Sequence, residues 1–333
     1  HKAIRRQRQM CIRDRLDNMS QSFQLAQEME RYGLTESEFN DILDAKNPYT
    51  KYWNQLPVLG VMGVRTGVVD WFNDPEKNIH APWGWNGFNN NFFSKETGGI
   101  SQYDFNVSFN IEDRVYLGAT LGVYDVNYDR YTSYTENLND DKGADNGGYT
   151  LDNYYRLEGT GMDLKLGVIV RPIESSPFRL GFAVHTPTWY DLRESYNATL
   201  SSDILAYEKP YIQTLSDFLV TPEYDYLTYD YNLTTPWKFN VSAGTTFAGA
   251  VAVGAEYEYQ DYSSSKLKDV DGYELGDQPS VENYLKGVHT FRIGMETRII
   301  PEFSIRAGYN YSSAAFSKDA YSALSLYLSL IHI

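Results

Sequence analysis

After Ser101 the chain alternates apolar and polar residues with a period of two, which predicts half-buried strands rather than helices. Tyr103, Phe105, Val107 and Phe109 alternate with Asp104, Asn106, Ser108 and Asn110; past a tight turn at 111–113, Val115, Leu117, Ala119, Leu121 and Val123 continue the pattern. The same unit recurs three times. Leu164 to Val170 is answered by Phe178 to Val184, Trp237 to Ala243 by Val251 to Tyr259, and His289 to Met295 by Phe303 to Tyr309. That makes eight strands in four hairpins. Turns inside the hairpins are short, whereas the connections around 129–155, 190–232 and 261–287 are long, acidic and rich in Tyr, Asn and Ser. Short turns at one rim and long loops at the other are the signature of a bacterial transmembrane barrel.

A soluble sandwich or lipocalin-like barrel would show the same period with the apolar face turned inward. Two features favour the membrane. The polar face carries Gly118, Gly122, Gly167, Gly181, Gly244, Gly254, Gly294 and Gly308, as a crowded lumen requires. Aromatics gather near the ends of the apolar face at Tyr103, Phe109, Trp237, Tyr257, Tyr259, Tyr309 and Tyr311, where interfacial girdles belong.

Upstream the pattern differs. Leu16 to Ala45 reads as brief amphipathic helices, the second opened by the capping-box spacing of Thr35 and Glu38. The most apolar segment, Leu56 to Val69, is interrupted by Gly60, Gly63 and Gly67 and suits a ninth strand or a pocket-lining loop.

Composition narrows the class further. The 333 residues include 29 Tyr, 16 Phe and 6 Trp, yet mean hydropathy is −0.48 and no run nears the ~18 apolar residues of a membrane helix. The ends look foreign: Arg8 to Arg15 (RQMCIRDR) and Leu328 to Ile333 (LSLIHI) resemble translated sequencing-adapter read-through, to be set apart from fold reasoning. The expected organisation is an artefact-like arm at 1–15, a helical external loop or hatch-like segment at 16–55, a partial barrel at 56–325 and an artefact-like tail at 326–333. Formal charge is −15, and −20 once residues 1–15, with six basic and one acidic side chain, are set aside. Such acidity disfavours nucleic acid. The lone Cys11 falls in the arm, so the remainder is free of thiols, as fits an outer-membrane protein.

Several of these segments carry a resemblance. Gly159 to Pro172, Phe178 to Pro187, Thr235 to Phe239 and the hairpin His289 to Tyr311 resemble strands of the FadL-type outer-membrane transporters for long-chain fatty acids and other hydrophobic compounds, over about 100–316. The resemblance implies a Gram-negative outer-membrane barrel of about fourteen strands, blocked by an N-terminal hatch and acting as a monomer. Ligand would enter between external loops and leave sideways through the wall into the membrane. The family's Asn-Pro-Ala hatch motif is absent, which makes 16–45 an external loop rather than the hatch. The expected fold is therefore all-β: an incomplete antiparallel transmembrane β-barrel of eight or nine strands, with short helices near the N-terminus. The expected function is passive, ligand-gated uptake of a hydrophobic small molecule, in contact with outer-membrane lipid and needing no cofactor. A non-transporting barrel with a structural or adhesive role through its loops is the alternative.

Candidate chemistry follows from this frame. Trp53, Leu56, Val58, Leu59, Val61, Met62 and Val64 could wall an apolar ligand site, with Arg65 as carboxylate partner. Asp104, Arg114, Asp163, Lys165, Arg171, Arg179, Lys238, Glu256, Glu258, Arg292, Glu296, Arg298 and Arg306 share the polar face and form a lumen charge network of mixed sign. Asp269 to Asp277 and Asp140 to Asp145 have carboxylate spacing that suits calcium, but neither completes a twelve-position loop, and both read as solvated acidic loops with no metal. His80, His185 and His289 have no nucleophile or ligand partner at fixed spacing, so no catalytic residue is assigned and no enzyme is expected.

Overall fold

The computed structural model describes residues 20–53, 55–74, 79–139, 143–205, 210–300, 302–318 and 320; the adapter-like ends at 1–15 and 326–333 lie outside them. Four helices come first: α1 Gln21–Arg31, α2 Glu36–Asp44, α3 Pro48–Lys51 and α4 Val58–Arg65. A small hairpin follows, β1 Val69–Asp74 and β2 Ile79–Gly84. Then come β3 Asn86–Ile111, β4 Val115–Asn139, β5 Asp145–Val170, β6 Arg179–His185, β7 Trp189–Ser202, β8 Tyr211–Thr214, α5 Ser216–Leu219 and β9 Thr228–Thr234. The chain ends with β10 Lys238–Phe247, β11 Val251–Asp261, β12 Lys266–Asp269, α6 Gln278–Tyr284, β13 Gly287–Ile300 and β14 Phe303–Ser312. It divides into two compact units.

One unit comprises 99–127, 157–193 and the chain from 230 on. All eight expected strands are in it, ordered β3-β4-β5-β6-β10-β11-β13-β14 with antiparallel neighbours. Two hairpins turn on residue pairs in the left-handed region, Glu112 with Asp113 (both φ 53°) and Ala248 (49°) with Gly249 (67°); turns of that hand match the twist of the strands they join. Register places Val168, Phe182, Val241, Tyr257, Phe291 and Tyr311 side by side across six strands. Phe247 lies near one strand end, and Ile300 pairs with Phe303 there. Six to nine residues separate these levels along β10, β13 and β14, against the ~9–11 of a tilted transmembrane strand.

Exposure decides between the two barrel types. Phe291, Ile293 and Met295 are 49%, 57% and 47% exposed. On the other face Asp163 is 5% exposed, and the side chains of Glu258 and Lys165 are 17% and 19% exposed. An uncovered apolar face opposite charges that are sheltered at Asp163, Lys165 and Glu258 reverses the arrangement of a water-soluble sheet. The sheet is the wall of an antiparallel β-barrel of transmembrane type, and it is not closed: among the described residues β3 and β14 each pair on one side only.

The other unit comprises residues up to 98, 128–156 and 194–229. Its core gathers Leu25, Met29, Ile42, Tyr49, Val61, Met62 and Val64 from the helices with Leu138, Leu151, Leu200, Leu215 and Leu219. Two expectations are corrected here. The segment 56–69 holds neither a ninth strand nor an irregular loop; it forms α4. Burial runs unbroken from Gly60 to Val64, so this helix is apolar all round, a pattern that hides helical periodicity. Its glycines set packing distance: a Cβ on Gly60 would lie 2.2 Å from Met29 Sδ, and one on Gly63 2.8 Å from Val69 Cγ2. Gly67, at φ 72°, ends the helix by donating its N–H to Val64 O.

The second correction concerns the long connections. Much of 129–155 and 190–232 is strand, continuing β4 and β5 and forming β7, β8 and β9. Tyr and Thr are strand formers once cross-strand partners exist, and Tyr131–Tyr154 and Thr135–Thr150 supply them. Around 261–287, β12 and α6 are tied by buried Gln278, which accepts the Leu267 N–H and donates to Ser265 O.

Candidate functional site

The charged side chains of the wall share one phase of the strand alternation, and register brings many of them together. Glu256 lies directly across from Arg292, and Glu296 across from Arg306. Arg292 pairs with Glu256 and, at 3.3 Å, with Glu258, which Lys238 approaches at 3.9 Å. Arg306 meets Glu296 at 2.8 Å. Lys165 bridges Asp104 at 3.1 Å and Asp163 at 3.7 Å, while Tyr124 donates its hydroxyl to Asp163 at 2.7 Å. Other members of the expected network stand apart. Arg171 serves the β5–β6 turn, donating to the carbonyls of Asp113, Glu174 and Ser176. Arg114 donates to Pro172 O at 3.5 Å, and Arg179 lies over the Tyr116 ring at 5.8 Å. For Arg298 no ion pair is found among the described residues. Most of these pairs are partly exposed, so each contributes no more than about 1 kcal/mol.

The residues expected to wall an apolar ligand site pack elsewhere. Leu56, Val61, Met62 and Val64 are buried in the helical core, with Trp53, Val58 and Leu59 against it. Arg65 is used locally: its guanidinium donates to Leu43 O at 2.6 Å, Ile42 O at 3.3 Å and Ala45 O at 3.4 Å, neutralising the carbonyl end of α2. The apolar surface of this segment is thus spent on packing, with its cation facing backbone rather than a carboxylate ligand.

The strands of the helix-bearing unit carry a feature that the chain pattern did not reveal. Their two faces differ. On one, Glu136, Leu138, Tyr149, Leu151, Ala198 and Leu200 are buried with the helices. On the other, a cleft of about 400 Å³ opens between strands, lined by Lys95, Asp129, Tyr131, Tyr154, Arg156 and Asn197 among others. Phe93, Tyr131 and Tyr154 form an aromatic row, with ring centroids 6.1 and 5.0 Å apart. Asp152 accepts the Tyr131 hydroxyl at 2.8 Å, and Arg156 lies 3.8 Å from Asp129. Among the described residues Lys95 has no carboxylate in ion-pair range. The cleft surface is mainly apolar, with Lys95, Asp129 and Arg156 adding charge at its edge, so it suits a ligand that offers an apolar face beside a polar group.

Among the described residues Glu136 is the most buried carboxylate, 2% exposed. The Tyr149 hydroxyl donates to it at 2.5 Å, and it also accepts the Gln21 amide at the start of α1. Gly87 leaves the room, since a Cβ there would fall within 1.8 Å of Glu136 Oε1. Burial pushes this carboxyl above its ordinary range despite those hydrogen bonds. The folded chain therefore holds the proton more tightly than the unfolded one, and stability falls as pH rises from the unfolded value near 4.5 through the raised folded value. The unfolding free energy from urea titrations between about pH 4 and 7 should fall with a slope of up to ~1.4 kcal/mol per pH unit in that window. Glu136→Gln should flatten this dependence.

No grouping of three or more His, Cys, Asp or Glu side chains suited to a metal is found among the described residues. His289 Nδ1 is 2.8 Å from the Tyr257 hydroxyl, and His185 faces Lys165 and Lys238 in register. The acidic run at 269–277 is a turn: Asp269 accepts the Tyr273 N–H, and Glu274 lies 3.7 Å from Lys266. Asp140 and Asp141 lie outside the described residues.

No protein-family model matches the chain, and no curated protein does. Among solved structures it is similar to the Pseudomonas putida toluene transporter TodX, at 11% identity and a TM-score of 0.33, covering 68% of this chain and 74% of that one. It is also similar to CymD, a monoaromatic hydrocarbon channel, at 12% identity and a TM-score of 0.33, covering 68% and 75%. Functional inference accordingly rests on the chain's own residues.

Proposed function

We propose that this chain is part of a Gram-negative outer-membrane channel for uptake of hydrophobic small molecules, of the class that includes long-chain fatty acids and aromatic hydrocarbons. The observation that supports it best is the wall itself. Its uncovered apolar face suits contact with lipid, and its face of paired charges suits an aqueous interior. The FadL-like segments at 159–187, 235–239 and 289–311 favour transport over a purely structural wall, and the residues at 16–55 are proposed as an external segment of that channel. A second reading, a barrel that binds partners through its outer strands, is favoured by the tyrosine-lined cleft with charged groups at its edge.

Uptake of radiolabelled oleate and toluene by cells lacking their own uptake channel separates the two. Expression of this protein, verified in the outer-membrane fraction, should raise the initial rate of at least one substrate several-fold. Unchanged uptake of both, with the protein present in that fraction, would remove the transport reading.

A further inference from the structure

We infer that the cleft beside Tyr131 and Tyr154 binds an aromatic carboxylate. Every residue lining it belongs to the helix-bearing unit. Its surface is mainly apolar, and its volume of about 400 Å³ is that of a small-molecule site. Phe93, Tyr131 and Tyr154 set three rings in a row, with centroids 6.1 and 5.0 Å apart and planes tilted by 57° and 37°. A flat ring meets such a row by offset or edge contacts, which an aliphatic body of the same volume cannot make. The Tyr131 ring is held in place for them, since its hydroxyl donates to Asp152 at 2.8 Å.

Charge at the edge selects the other half of the ligand. Lys95, Arg130 and Arg156 line the cleft against Asp129 and Asp225. Two of these cations are engaged: Arg156 lies 3.8 Å from Asp129, and Arg130 stands over the Tyr155 ring at 5.6 Å. Lys95 has no carboxylate in ion-pair range among the described residues. It follows Phe93 by two positions on β3, so both side chains leave the same face of the strand, about 7 Å apart along it. A ring laid on the aromatic row can therefore bring its own carboxylate to the Lys95 ammonium. Aromatic rows also attract cations, but the three basic side chains around this one disfavour them. A neutral hydrocarbon would fill the apolar part and leave the Lys95 charge unused. Binding at this cleft requires neither lipid nor passage through the wall.

The test is calorimetric titration of the purified protein in detergent micelles with naphthoate, naphthylmethanol and cyclohexanecarboxylate, with empty micelles as the blank. Naphthoate should bind, the neutral alcohol about three- to fivefold more weakly, and the non-aromatic acid about tenfold more weakly. Lys95→Gln should weaken naphthoate about three- to fivefold and leave naphthylmethanol unchanged, so that the two bind this variant equally. Lys95→Arg keeps the charge and should keep the preference for the acid. Tyr154→Ala should weaken both naphthyl ligands about tenfold; the comparison of ligands on the unaltered chain keeps the test decisive should this variant fail to fold. The inference is overturned if naphthoate binds no better than the blank, if the alcohol or cyclohexanecarboxylate binds as tightly as naphthoate, or if the preference for the acid survives Lys95→Gln. Absence of oleate and toluene uptake in cells, with naphthoate binding intact, would instead count against the transport reading alone.

Discussion

Gly84→Ala should destabilise the helix-bearing unit by about 3 kcal/mol, the upper range for overpacking a filled site. An added Cβ would stand 2.5 Å from both Cα and N of Phe23 and 2.6 Å from the Ser22 carbonyl carbon. These are backbone atoms, so no rotamer change relieves the clash and α1 itself must move. That movement breaks a buried joint, because the Ser22 hydroxyl donates to Val68 O at 2.6 Å and accepts the Trp85 N–H at 2.8 Å. Each bond lost inside the unit leaves a desolvated partner. Gly99→Ala is the control, since its Cβ would meet nothing within 4 Å. Urea unfolding followed by tryptophan fluorescence should show a lowered midpoint for Gly84→Ala and an unchanged one for Gly99→Ala, with trypsin cleavage after Arg31 accelerated only in the former.

The wall was legible because a strand with one face in lipid must alternate, and all eight segments did so from Tyr103 to Tyr309. The rest obeys physics that leaves a fainter mark. Val58 to Arg65 is a helix buried on every side, so its apolar run shows no period, and only Pro57 before it and Gly67 after it mark its ends. Strands of the second unit place Tyr, Thr and Asn on both faces, and their composition imitates a loop until partners such as Thr135 and Thr150 are brought together.

The candidate residues divide along the same line. Charges on the wall could be paired by alternation alone, and Glu256, Arg292, Glu296 and Arg306 sit opposite one another in register. Arg65 could not be placed, since an arginine near a hydrophobic segment reads as a ligand partner until the end of α2 is seen against it. The tyrosine cleft draws on β3, β4, β5 and β7 together, and no local pattern announces such a convergence.

Two adjacent residues of β13 distinguish the membrane-facing side from the interior most directly. Met295 is 47% exposed on the apolar face, level with Val253 and Ala307 on neighbouring strands and about midway between the Phe291 and Ile300 levels. Gly294 belongs to the charged face, flanked in register by Gly254 and Gly308, and a Cβ there would meet nothing within 4 Å. A lysine on the lipid side near mid-bilayer costs about 2–4 kcal/mol, whereas one facing the interior costs little. Folding free energy in phosphatidylcholine vesicles, from reversible urea titration of the intact chain and its Met295→Lys and Gly294→Lys variants, therefore tests the orientation of the wall. The expected loss is about 2–4 kcal/mol for Met295→Lys and less than about 1 kcal/mol for Gly294→Lys. Equal losses, or the larger loss at Gly294, would contradict it.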